Sequence, residues 1–96
     1  MKFKDIFEGK QPDKEFMKLL KIVADYSGQF PEKVYTKGNK AIIEFPNTRF
    51  AMEFLEFTMD ADNVDSISEL RELNKKINDA MPEMYEENGK VIVEFK

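Results

Sequence analysis

An α+β fold is predicted, in which two helix-plus-β-hairpin units share one four-stranded antiparallel sheet. Three observations predict it. Two β-rich runs flank Gly38-Asn39, and two more flank Asn88-Gly89, which are two-residue hairpin turns. An amphipathic helical pattern precedes each hairpin. The two stretches also match residue for residue, as described below.

The first helix opens at Gln11-Pro12-Asp13, with Pro12 suited to the first helical position and Asp13 and Glu15 to its positive end. Phe16, Leu19, Leu20, Val23 and Tyr26 recur at helical spacing, and Gly28 supplies the stop. The first hairpin then runs from Lys33 to Phe45. Pro46-Asn47-Thr48 breaks the strand and caps a second helix over about 48–59. A polar connector, Asp60 to Asp65, leads to Ser66 and Glu69, which fit a capping box. The helix beyond carries Ile67, Leu70, Leu73, Ile77 and Met81 in one stripe, and Pro82 ends it. The second hairpin spans Met84 to Phe95.

At an offset of 51, Phe16 falls on Ile67, Leu19 on Leu70, and Phe30-Pro31-Glu32 on Met81-Pro82-Glu83. After a one-residue deletion Tyr35 meets Tyr85, and Ile42-Ile43-Glu44-Phe45 meets Ile92-Val93-Glu94-Phe95. The shared Pro-Glu, Tyr and Glu-Phe exceed what helix and strand patterning require. Internal duplication is therefore expected, with units at about 12–46 and 66–96 within a single domain over 1–96. A chain of 96 residues is long enough to bury one core.

Composition removes much chemistry. With no cysteine or histidine, there are no disulfides, thiolate metal sites, thiol nucleophiles or imidazole bases. No apolar run approaches a membrane span, and Met1 to Asp5 is charged where a signal peptide begins to turn apolar. A cytoplasmic location is expected. Residues 1–50 hold ten basic against seven acidic side chains, while residues 51–96 hold five against twelve. The overall net charge of −4 argues against general nucleic-acid binding. The four glycines are scattered, so no phosphate-cradling loop exists. No catalytic residue, metal ligand or cofactor is assigned.

Two surfaces stand out instead. Strand alternation puts Ala41, Ile43, Phe45, Val91, Val93 and Phe95 on a core face. The opposite face carries Tyr35, Ile42, Tyr85 and Ile92 among Lys33, Lys37, Lys40, Glu44, Glu83, Glu87, Lys90 and Glu94. Such an aromatic-centred, charge-rimmed patch suits partner binding. It is equally what two stable hairpins produce through Tyr–Ile cross-strand pairs, and Phe3, Ile6 and Phe7 offer an alternative cover for it. The second surface is the middle helix, whose apolar arc covers over half its circumference and ends at Met52 and Met59. Burial between the units explains most of that arc.

Residues Phe16 to Leu55, read as helix–strand–strand–helix with Lys37-Gly38 ahead of Ile43-Glu44-Phe45, resemble the middle of an RNA-recognition motif. That resemblance implies base stacking on the sheet. Lys40 and Ile42 stand where its stacking aromatics belong, so the family is not assigned.

The function expected is a non-catalytic protein-binding module, such as a small inhibitor, immunity-type or adaptor protein. Its partner is another protein, with no membrane involved and no oligomeric state implied. The alternative is single-stranded nucleic-acid binding on the sheet, with Tyr35 and Tyr85 stacking bases and Lys33, Lys37, Lys40 and Lys90 meeting phosphates. An oxygen-ligand metal protein comes third, because the connector from Asp60 fails the EF-hand pattern. Val64, Asp65 and Arg71 stand where Asp or Asn, Gly and Glu belong. Millimolar calcium should therefore leave the thermal midpoint unchanged. A site of roughly 10 μM dissociation constant would instead add roughly 2.7 kcal/mol at hundredfold excess, read as a rise of several degrees.

Overall fold

The computed structural model describes residues 12–60 and 67–95. They form helix α1 (Lys14–Ser27), strands β1 (Lys33–Lys37) and β2 (Lys40–Glu44), helix α2 (Thr48–Met59), helix α3 (Ser68–Ala80), and strands β3 (Glu83–Glu87) and β4 (Lys90–Glu94). The fold class is α+β, with a four-stranded antiparallel sheet in the order β1-β2-β4-β3.

Local chemistry places the element ends. Asp13 is the N-cap of α1, its carboxylate accepting from the Phe16 amide at 2.8 Å. Pro12 therefore precedes the cap rather than starting the helix, two residues from its expected place. Gly28 closes α1 in the left-handed region at φ 87°. Asn47 caps α2 through the Phe50 amide, as its sequence signal implied. The capping box expected for α3 rests on Ser66, which lies outside the described residues. The helix begins at Ser68 with Ile67 at the N-cap, whose aliphatic side chain has no atom to accept from the first-turn amides.

The hairpin registers follow from the two-residue turns. Tyr35 stands opposite Ile42 and Tyr85 opposite Ile92. The turns differ in hand of backbone: Gly38 alone is at positive φ in the first, while Asn88 and Gly89 both are in the second. The hairpins join through their second strands, with Lys40 opposite Glu94, Ile42 opposite Ile92 and Glu44 opposite Lys90. Beyond the ladder, the Phe45 amide donates to the Gly89 carbonyl and the Phe95 amide to the Asn39 carbonyl. The sheet thus reads the same from either hairpin.

The helices do not. Phe45 and Phe95 occupy matching places, yet Phe95 meets the Phe16 ring of α1 at 5.1 Å and Phe45 meets the Phe54 ring of α2 at 5.3 Å. Helix α2 lies against β3 and β4, whereas α3 packs chiefly on α1. The expectation of an equivalent helix behind each hairpin is corrected here. The short link Phe45-Pro46-Asn47 leaves β2 beside β4, so α2 must start over the second hairpin. Helix α3 is tied in by Lys76 to Glu15 of α1 at 3.7 Å and by the Asn74 amide to the Thr58 carbonyl of α2 at 3.2 Å.

The core sits between sheet and helices. Leu20, Val23, Ile43, Phe54, Leu70, Leu73, Val91 and Val93 are fully buried. Tyr26, placed by its spacing in the α1 stripe, is instead exposed and rests on Phe57 at a ring distance of 6.2 Å. Since Phe54 is enclosed and Met59 is not, Phe54→Ala should lower the unfolding free energy by about 3–5 kcal/mol in urea titration. Met59→Ala should stay within about 0.5 kcal/mol.

Candidate functional site

Alternation along four strands sorts the sheet's outer side chains into three rows. One outer row reads Lys33, Glu44, Lys90, Glu87 across β1, β2, β4 and β3. The central row reads Tyr35, Ile42, Ile92, Tyr85. The other outer row reads Lys37, Lys40, Glu94, Glu83. The spacing of rows is about 7 Å, two residues of strand. Six of the eight sequence-derived candidates, Lys33, Tyr35, Lys40, Ile42, Tyr85 and Ile92, come together on this face.

The isoleucines are 6% and 7% exposed and the tyrosines half-buried. Each tyrosine reaches diagonally to a carboxylate two residues along the neighbouring strand. The Tyr35 hydroxyl donates to Glu44 Oε2 at 2.7 Å, and the Tyr85 hydroxyl donates to Glu94 Oε1 at 3.2 Å. Glu44 also faces Lys90, with Nζ 3.9 Å away. The role of Glu44 and Glu94 as tyrosine partners was not drawn from the sequence, although the period of two and the hairpin register contain it.

These bonds fix the hydroxyls as donors. The hydrogen bond to Glu44, then burial and the nearby negative charge, hold the Tyr35 hydroxyl above the ordinary tyrosine value. Burial, the bond to Glu94, and the charges of Glu94, Glu87 and Glu83 raise that of Tyr85. Both phenols stay protonated at neutral pH, a state suited to binding rather than to supplying a phenolate nucleophile.

A concavity of about 390 Å³ runs across the face from the Lys37-Gly38 tip to the Glu87-Asn88 tip. Ile42 and Ile92 form its floor and Tyr35 one side. Phe3, Ile6 and Phe7, the alternative cover for this face, lie outside the described residues.

Met52 and Met59 do not join this site. They are 42% and 63% exposed on α2, the helix whose Phe54 packs on the core face. Two further exposed apolar residues were missed: Phe30 and Met81, both at positive φ and both just before a proline. Spacing placed Met81 at the end of the α3 stripe and Phe30 entered only through the repeat alignment, and no sequence rule puts bulky residues in the left-handed region. Of the acidic connector only Asp60 is described, and the described residues contain no cluster of three metal-ligating side chains. No described helix is long and apolar enough to cross a membrane.

No protein-family model matches this chain, and no curated protein or solved structure does so either.

The phenol–carboxylate bonds carry a pH signature. A folded-state value above the unfolded one of about 10 contributes stability that is complete below pH 10 and lost as pH rises through the folded value. Ultraviolet titration should show two tyrosines ionising above the ordinary range, and Glu44→Gln should lower the midpoint of Tyr35. Tyr35→Phe with Tyr85→Phe should flatten the loss of stability above pH 10.

Proposed function

We propose that this chain is a non-catalytic protein-binding module that grips its partner with the outer face of the sheet. The observation that carries the reading is the groove between the two hairpin tips, with an aliphatic floor, an aromatic side and charged ends. Buried aliphatic and aromatic anchors inside a polar rim are what stable protein interfaces use. The face is also prepared in advance, because the tyrosine hydroxyls are already tied to Glu44 and Glu94. Ordering cost on binding is correspondingly small. A small cytoplasmic inhibitor, immunity-type protein or adaptor fits this description.

Charge favours protein over nucleic acid on this face. Its four lysines are balanced by four glutamates in the same rows, so no positive stripe tracks a phosphate backbone. The two strands at the centre present Ile42 and Ile92, while the tyrosines stand at the margins with their hydroxyls engaged. A base would find no aromatic ring on the middle of the sheet.

Affinity capture from the source cell, with mass spectrometry, identifies the partner, and paired variants then locate the contact. Tyr35→Ser with Tyr85→Ser should abolish capture while circular dichroism stays native. Met52→Glu with Met59→Glu should leave capture unchanged. The reverse outcome moves the binding surface to α2. Retention of single-stranded nucleic acid with steep salt dependence replaces the protein partner altogether.

A further inference from the structure

The sheet has two edges, and they differ in sign. With a two-residue turn closing each hairpin, alternate residues of β1 bond to β2, which turns the backbone amides and carbonyls of Val34 and Thr36 outward. By the same parity Met84 and Glu86 present theirs on β3. Among the described residues no strand pairs with either edge. Edge β1 is flanked by Lys33 and Lys37, edge β3 by Glu83 and Glu87, and all four are exposed. Lysine on an edge usually discourages pairing. Here the opposite edge carries the opposite charge.

Two hollows border β1, one on each face. A groove of about 510 Å³ lies between the start of α1 and the strand, lined by Met17, Val34 and Thr36 among others. On the outer side, a hollow of about 520 Å³ is lined by Lys33, Val34, Tyr35 and Glu44. Side chains of an added strand alternate between two faces, so such a strand would place them by turns in these hollows.

We propose that copies of this chain join edge to edge, β1 of one copy adding antiparallel to β3 of the next. Because β1 and β3 run in opposite directions within one sheet, a simple translation brings them together antiparallel. Registers of one parity pair the outward groups, and among them only full overlap, with Val34 opposite Glu86 and Thr36 opposite Met84, engages both outward residues of each edge. That full-overlap register sets Lys33 opposite Glu87, Tyr35 opposite Tyr85 and Lys37 opposite Glu83. The row of Lys33, Glu44, Lys90 and Glu87 then continues across the join with its signs still alternating. Symmetric pairing is opposed in the same register, since β1 on β1 sets Lys33 against Lys37 and β3 on β3 sets Glu83 against Glu87. The join is head-to-tail. Five-residue strands make it short, so association is weak and concentration-dependent.

Sedimentation velocity on the full chain tests this. At low ionic strength the mass should rise above the monomer with concentration and fall back on adding salt. Lys33→Glu with Lys37→Glu, and Glu83→Lys with Glu87→Lys, should each be monomeric alone and regain the larger mass when mixed. Thr36→Pro, which removes only an outward amide, should abolish association without touching the charges. Circular dichroism checks that each variant is folded. A wild-type chain monomeric throughout, association that survives Thr36→Pro, or a mixture that regains nothing overturns the proposal.

Discussion

Everything on the outer face depends on the pairing of β2 with β4. That ladder sets Ile42 beside Ile92, makes them the floor of the groove, and leaves β1 and β3 as the edges. Its register is held by what lies beneath. A slip of one residue along β2 would turn Ala41 and Ile43 outward and carry Lys40 and Glu44 into the core. Burying those charges without partners costs several kcal/mol, far more than any rearranged surface pair returns. The apolar inner face thus specifies the arrangement of a surface it never touches.

The sheet's two-sided regularity stops at the helices, and the departure has a use. Because α2 begins three residues past Phe45, it covers β3 and β4 and brings Phe54 onto Phe45. Helix α3 is thereby displaced onto α1, where Leu70 and Leu73 are wholly enclosed. Among the described residues three helices lie on one face and none on the other, which leaves the outer rows clear of α1, α2 and α3. The same arrangement explains why the wide apolar arc of α2 is mostly core, with Met52 and Met59 at its margins.

The parts legible in the sequence were those governed by local chemistry. Gly38-Asn39 and Asn88-Gly89 determine turn length, turn length determines register, and register with alternation puts Tyr35, Ile42, Tyr85 and Ile92 on one face. The order of strands was not legible, since nothing local to Ile42 or Ile92 says that they are neighbours. Nor was the seat of α2, which follows from where β2 ends in space. Tyr26 has helical spacing yet is exposed, its ring resting on Phe57. The cap at Ile67 uses no side chain, so no residue type advertised it. Glu44 and Glu94 were visible as rim charges, and their bonds to the tyrosines needed only the diagonal neighbour to be counted.

Phe30 and Met81 hold the last consequence. Each turns the chain from helix toward strand at φ 47° and 51°, immediately before a proline, with its side chain 66% and 77% exposed. A bulky residue in that region is intrinsically unfavourable, and an exposed one recovers little by packing. The surrounding fold therefore overrides the local preference at both junctions. These are the places where an engineer seeking a hardier version of the protein would begin, because glycine accepts the same bend without its steric penalty.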